Sequence, residues 1–354
     1  MLSAKSIPAM RTSKSSSAAE LPELLELQAL VDLAGPAMER RVLCSVDAGG
    51  ERFEVQAFLL GSERTDVPAV GFFGGVHGLE RIGAQVTIAY MRSIVTRLQW
   101  DTTLQRQLET LRLVFLPIVN PGGLWLGTRA NPRGVDLMRN SPVDAPGRVP
   151  WLLGGQRLSA ALPWYRGEEG AAMESESQAL CALVESELLS RPFSIALDCH
   201  SGFGLADRLW FPYAHTPRPM PHLPEMHAFG ELIDLSLLHH PYVLEPQSQQ
   251  YTTHGDLWDH LYLTACNRPD TLFLPLTLEM GSWLWVKKNP RQLFSRHGIF
   301  NPVIAHRQQR VLRRHLWWMD FITRAASSHT HWVPVDETRR RHHAQALARW
   351  YAAA

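Results

Sequence analysis

The sequence predicts an α/β protein built on a largely parallel sheet, and three observations carry that expectation. Short apolar runs rich in Val, Ile, Leu and Phe recur along the chain, as strands buried on both faces do. Segments with apolar residues at helical spacing lie between them, with no internal repeat. Polar residues with chemical capability cluster just past the apolar runs, where open α/β sheets place their sites.

The elements follow in order. "AELPELLELQALVDLAG" spaces acids and leucines as a helix and stops at Gly35-Pro36. "RRVLCSVDAGGERFEVQAFLLG" reads as two strands around an Ala-Gly-Gly turn. "VPAVGFFGGV" is a buried strand that delivers His77, and "GAQVTIAYMRSIVTRLQ" is the helix after it. "LRLVFLPIVNPGG" is a further strand, closed by Asn-Pro-Gly-Gly, and residues 141–170, rich in Pro, Gly and Trp, form long irregular loop. "MESESQALCALVESELLS" is a helix with acids in its first turn, where the helix dipole favours them. "FSIALDCHSG" and "TLFLPLTLEMGS" are strands, and the last fifty residues are helical and basic. This divides the chain into a disordered tail over 1–19, one main domain over 20–300 and a helical extension over 301–354.

Composition removes several classes of function. With 35 basic and 34 acidic residues in 354, the net charge of +1 leaves no footprint for nucleic acid. No run reaches the roughly 18 apolar residues of a membrane span. Cys44, Cys181, Cys199 and Cys266 are scattered without a C-x-x-C pair, which predicts reduced thiols and a cytoplasmic setting. The N-terminus lacks the apolar core of a secretory signal.

The chemistry begins at "FFGGVHGLERIGAQ", where His77 and Glu80 stand three apart beyond a strand. His200 ends another strand in "ALDCHSG". Two histidines and a carboxylate are a ligand set of catalytic zinc, with water in the fourth position, and Asp136 and Asp198 could orient the rings. Each histidine alone would read as structural; both landing at strand ends points to a site. Arg129 and Arg139 flank Gly134-Val135-Asp136, and Arg suits an oxyanion or a carboxylate. Glu279 lies inside the apolar "LPLTLEM", where desolvation would raise its pKa toward a general base's range. The bland alternative for Glu279 is a buried ion pair with an arginine.

Taken in order, H-x-x-E, N-P-x-G, "RANPRGVDLMRN", Y-R-G with "ESES", D-x-H-S, Y-x-x-x-G-x-x-x-D and a strand-borne Glu resemble the M14 family of zinc carboxypeptidases, over residues 68 to 285. The resemblance implies a three-layer α/β/α sandwich around a mixed sheet of about eight strands. It implies one zinc per chain on His77, Glu80 and His200, Glu279 as base and acid, and Arg129 as oxyanion stabiliser. It implies Arg139 gripping the substrate carboxylate, Tyr251 closing over the substrate, and Trp258 in the pocket for the terminal side chain. Gly255 and Asp259 follow Tyr251 at the family's spacing. One departure stands out: the family has Asn where this chain has Met138, beside Arg139 in the carboxylate subsite.

The implied activity is hydrolysis of short peptides near a free carboxylate, bacterial wall peptides included, since murein-peptide amidases carry a similar "TRxNxxGVDLNRN". Two alternatives stay open. One is an N-acyl amino acid deacylase of the desuccinylase and aspartoacylase branch, which shares "GGVHGxE". The other is a non-catalytic binding module. Arg339 to His343 read as a solvated helix face, and His239-His240 as structural or exposed.

Overall fold

The computed structural model describes residues 21–202 and 204–352; the tail expected over 1–19 lies outside them. Eight strands, β1 (Met38–Ala48), β2 (Glu51–Gly61), β3 (Ala69–Gly74), β4 (Arg112–Leu116), β5 (Phe193–Gly202), β6 (Asp207–Phe211), β7 (Tyr242–Pro246) and β8 (Leu272–Gly281), form one sheet. Its order is β1-β2-β4-β3-β5-β8-β6-β7. The central pairs β4–β3, β3–β5 and β5–β8 are parallel, as is β6–β7, whereas β1–β2, β2–β4 and β6–β8 are antiparallel. The sheet is therefore mixed, with a parallel centre. β6 and β7 did not stand out in the sequence, because "DRLWF" and "YVLEP" are five-residue runs broken by charge and proline.

The described helices are α1 (Pro22–Ala34), α2 (Arg81–Arg97), α3 (Thr102–Leu108), α4 (Pro121–Leu126), α5 (Ser175–Glu187), α6 (Leu223–Ser236), α7 (Leu257–Cys266), α8 (Trp283–Lys288), α9 (Arg296–Phe300), α10 (Ala305–Ser327) and α11 (Asp336–Trp350). Successive side chains of a strand point to opposite faces, and β3 shows what covers each. Phe72 meets Tyr90 of α2 edge-on at 4.9 Å, while Phe73 meets Trp258 of α7 at 5.0 Å. One layer thus holds α2 with α10, and the other holds α7 with α5, which it touches. The result is an α/β/α sandwich.

The described residues from 301 to 352 complete the first layer. The buried Trp318, Met319 and Ile322 of α10 belong to the same apolar cluster as β3 and β5, and α10 packs on both strands. Phe229 of α6 reaches Trp318 at 6.0 Å, and α6 in turn carries α11. Among the described residues no helix is long and apolar enough to cross a membrane. All four cysteines are unpaired.

Candidate metal centre and active site

The parallel centre of the sheet brings the C-terminal ends of β3, β5 and β8 to one edge. Gly75, at φ +61°, turns the chain out of β3 and starts the loop that carries His77 and Glu80. His200 ends β5, and its register partner on β8 is Glu279. His77 Nδ1 lies 3.1 Å from His200 Nδ1 and 3.0 Å from Glu80 Oε1, and His200 Nδ1 lies 3.2 Å from Glu80 Oε2. All three side chains are buried, and the three donor atoms converge on one point.

The other ring nitrogens face carboxylates. His77 Nε2 is 3.1 Å from Asp136 and His200 Nε2 is 2.7 Å from Asp198, the two residues expected to orient them. Each Nε2 therefore carries the proton and donates it, which leaves both Nδ1 lone pairs aimed at each other and at a carboxylate. That arrangement is repulsive until a proton or a metal cation sits among them. Ligand atoms 2.0–2.1 Å from a tetrahedral ion stand roughly 3.3 Å apart, close to the spacings found here. The donor set fits zinc.

Electrostatics agree. Burial alone would raise Glu80, but His77 and His200 outweigh it and hold the carboxylate well below its usual range. Asp136 is likewise lowered against burial, by Arg129 and His77. His200 rises well above its ordinary value against burial, through Asp198 and Glu80. Burial pushes Glu279 the other way, up to about 7. Among the described residues Glu279 has no salt-bridge partner within 4 Å, so the buried ion pair considered for it does not form.

A cavity of ≈ 1120 Å³ opens over this edge, and Glu80, Arg129, Tyr251 and Glu279 line it. Arg129 bonds both Asp136 (2.8 Å) and Glu80 (3.1 Å) and lies 5.9 Å over the Trp164 ring. Three sequence expectations need correction or refinement. Trp258 does not line the cavity; it is buried behind the centre, packs on Phe73, and its indole N–H donates to Asp198 at 2.9 Å. It supports the partner of His200 instead of receiving a substrate side chain. Met138 also points away: Asp136 Oδ1 accepts its N–H and the side chain enters the apolar core. Arg139 is buried and does not line the cavity; its guanidinium hydrogen-bonds the Tyr251 hydroxyl, while its Nε has no hydrogen-bond partner.

Comparison with known proteins decides the family. The model of the zinc carboxypeptidase family, peptidase M14, matches residues 41–270, well over half of the chain. The chain belongs to the M14 zinc carboxypeptidases. As such it is a zinc metallohydrolase. No functionally curated protein matches it in sequence. Among solved structures it is similar to thrombin activatable fibrinolysis inhibitor (TM-score 0.62, 15% identity, 85% of this chain and 72% of the other). The bovine form of that protein gives 0.61 and 14%, over 86% of this chain and 96% of the other. Carboxypeptidase A from Helicoverpa armigera gives 0.59 and 13%, over 85% and 71%. At such identities these neighbours speak for the fold alone.

In this M14 chain the ligand turn is held by a residue the sequence did not reveal. Glu80 stands at the N-cap of α2, but its side chain faces the metal centre and makes no capping bond. Asn301 supplies the cap from outside. Its Oδ1 accepts from Ile82 N–H at 2.9 Å, and its Nδ2 donates to the Leu79 carbonyl at 2.8 Å. Both sides of Glu80 are thereby pinned. Losing such a cap costs about 0.5–2 kcal/mol. Asn301→Ala is expected to weaken zinc affinity by roughly 10–100-fold, as loss of outer partners does, with Asn301→Asp recovering part through Oδ1. Chelator competition would measure it; an unchanged affinity would remove Asn301 from the centre.

Close backbone approach fixes the opposite wall. A Cβ on Gly255 would sit 1.9 Å from the Arg139 carbonyl, and Gly255 has φ +73°. Only glycine fits there, and this seats the Tyr251 segment against Arg139. Asp259 accepts the Ala214 and His215 N–H groups, a structural task. Trp164, Trp210 and Arg208 also line the cavity and were not singled out in the sequence. They lie in irregular loop or on the short β6, where no periodicity marks them.

Proposed function

We propose that this M14 chain is a metallocarboxypeptidase that hydrolyses an amide bond of a short peptide next to a free carboxylate. The observation that carries the reading is the convergence of His77, Glu80 and His200 beside Glu279 at the floor of a large cavity. His77, Glu80 and His200 would hold zinc, which when bound would lower the pKa of a water toward about 7 and polarise the scissile carbonyl. Glu279 would accept the proton of the attacking water and return it to the leaving nitrogen, a role worth roughly 10²–10⁴-fold. Arg129 offers its N–H groups to the developing oxyanion, where one donor is worth about 2.7–4 kcal/mol.

Arg139 holds the terminal carboxylate in this reading. A buried cation with an unpartnered Nε is a donor awaiting an acceptor. Tyr251, hydrogen-bonded to Arg139 and lining the cavity, closes over the substrate in this reading. Met138 contributes nothing to that subsite. The cavity volume of ≈ 1120 Å³ favours a peptide over an N-acyl amino acid, since drug-sized ligands occupy about 300–1,000 Å³. The four unpaired cysteines support a reducing, cytoplasmic setting.

The test is a panel of free peptides, C-terminally amidated peptides, wall peptides and N-acyl amino acids. Free peptides should turn over best. Arg139→Ala should raise their KM by roughly ten- to a hundredfold, the worth of one hydrogen bond to a charged group, with little change for amidated ones. Equal KM for both classes in the parent protein would end the carboxypeptidase reading. Turnover of N-acyl amino acids alone would establish the deacylase instead, and zinc binding with no hydrolysis would establish a binding module.

A further inference from the structure

A second convergence of metal-binding side chains lies where α11 meets α6, away from the cavity and lined by none of its residues. His227 and Glu231 are four apart on α6, so they share one face of the helix. His342 faces them from α11. His227 Nδ1 stands 2.9 Å from His342 Nδ1, and His342 Nδ1 stands 3.7 Å from Glu231 Oε2. These distances bracket the roughly 3.3 Å that separates ligand atoms around tetrahedral zinc.

The surroundings are those of a built site. His227 and His342 are 5% and 6% exposed, with Trp350 edge-on to His227 at 5.7 Å on the inner side. The Glu231 side chain is 44% exposed, which leaves an entry path and room for water as a further ligand. Two ion pairs hold the helices in register on either side: Arg339 with Glu225 at 2.6 Å, and Arg349 with Asp234 at 3.3 Å. The ligand-bearing faces are therefore placed before any ion arrives. A single N–H···N bond would satisfy the two imidazoles, but it gives the carboxylate beside them no part.

We propose that His227, Glu231 and His342 form a second divalent transition-metal site, of zinc type, that fastens α11 to α6. Two imidazole nitrogens and one carboxylate oxygen suit zinc, and their placement on two separate helices makes the ion a cross-link. Arg349 and Asp234, the other charged groups beside His227, are paired with each other, so the role is structural. The ion binds the docked helices and not the unfolded chain, which stabilises the fold by mass action.

The test uses the full chain, stripped with a chelator and titrated with zinc alone. The parent protein should take up two equivalents by elemental analysis, and Glu231→Gln and His342→Gln one each, with peptidase activity unchanged. In a His200→Ala background zinc should still raise the Tm, and Co²⁺ should still give visible d–d absorption. Adding Glu231→Gln to that background should abolish the Tm shift and weaken binding by more than about a hundredfold, beyond what loss of an outer partner costs. Glu231 is half-exposed, so its variant folds even if His342→Gln does not. Uptake of a single equivalent by the parent, or retention of both by Glu231→Gln, would overturn the proposal.

Discussion

Glu279→Gln is expected to retain zinc and fold while losing at least about a hundredfold in kcat, the lower end of what a general base contributes. The amide keeps the shape of the side chain but cannot accept the proton of the attacking water. Glu279 occupies a position where burial pushes its pKa up to about 7 and where no salt bridge neutralises it. A cation bound by the neighbouring ligands favours the carboxylate and lowers that value. The base works only when ionised, so activity should rise with pH through an acid limb lying at or below about 7. Glu279→Gln should lose that limb together with the rate. Near-normal turnover in the variant would assign the proton transfer to another group.

His200→Ala should abolish activity by removing the ion from the centre. One donor nitrogen disappears, and Asp198 keeps only the Trp258 indole as a hydrogen-bond donor, leaving a buried charge poorly compensated. Measured in a Glu231→Gln chain, so that only the His77 centre is counted, zinc should fall from one equivalent to none. Circular dichroism would show whether the fold survives, and His200→Gln offers a milder variant if it does not. Full zinc in a folded His200→Ala chain would mean that the ion is held elsewhere.

Much of this centre was legible in the sequence because its parts are marked locally. His77 and Glu80 share one turn, and His200 and Glu279 are polar residues in apolar strands. Strand alternation and apolar runs sufficed for β1 to β5 and β8, and helical spacing for α1, α2, α5 and the C-terminal α10 and α11, whereas α6 was not read. What could not be read depends on distant packing. Trp258 sits at a familiar spacing on α7, yet which way its indole points is decided by Phe73 of β3 and Asp198 of β5. Met138 enters the core because Asp136 holds its backbone. His342 looked solvated amid arginines, but the buried residues of α11 are His342, Ala346 and Trp350, four apart, a stripe that the charged flanks hid.

Asn301 has a consequence for how the protein comes into being. It is the first residue of the stretch assigned to a helical extension, and it clamps the turn of a metal ligand through Ile82, 219 positions earlier in the chain. A chain leaves the ribosome N-terminus first and its domains fold as units. His77, Glu80, His200 and Glu279 are all synthesised while the clamp is still missing. Firm capture of zinc is thus expected only after Asn301 has been made, and Asn301→Ala, which keeps α10 and α11 in place, should hold the ion more loosely under the same chelator. The active site of this enzyme is finished from its far end.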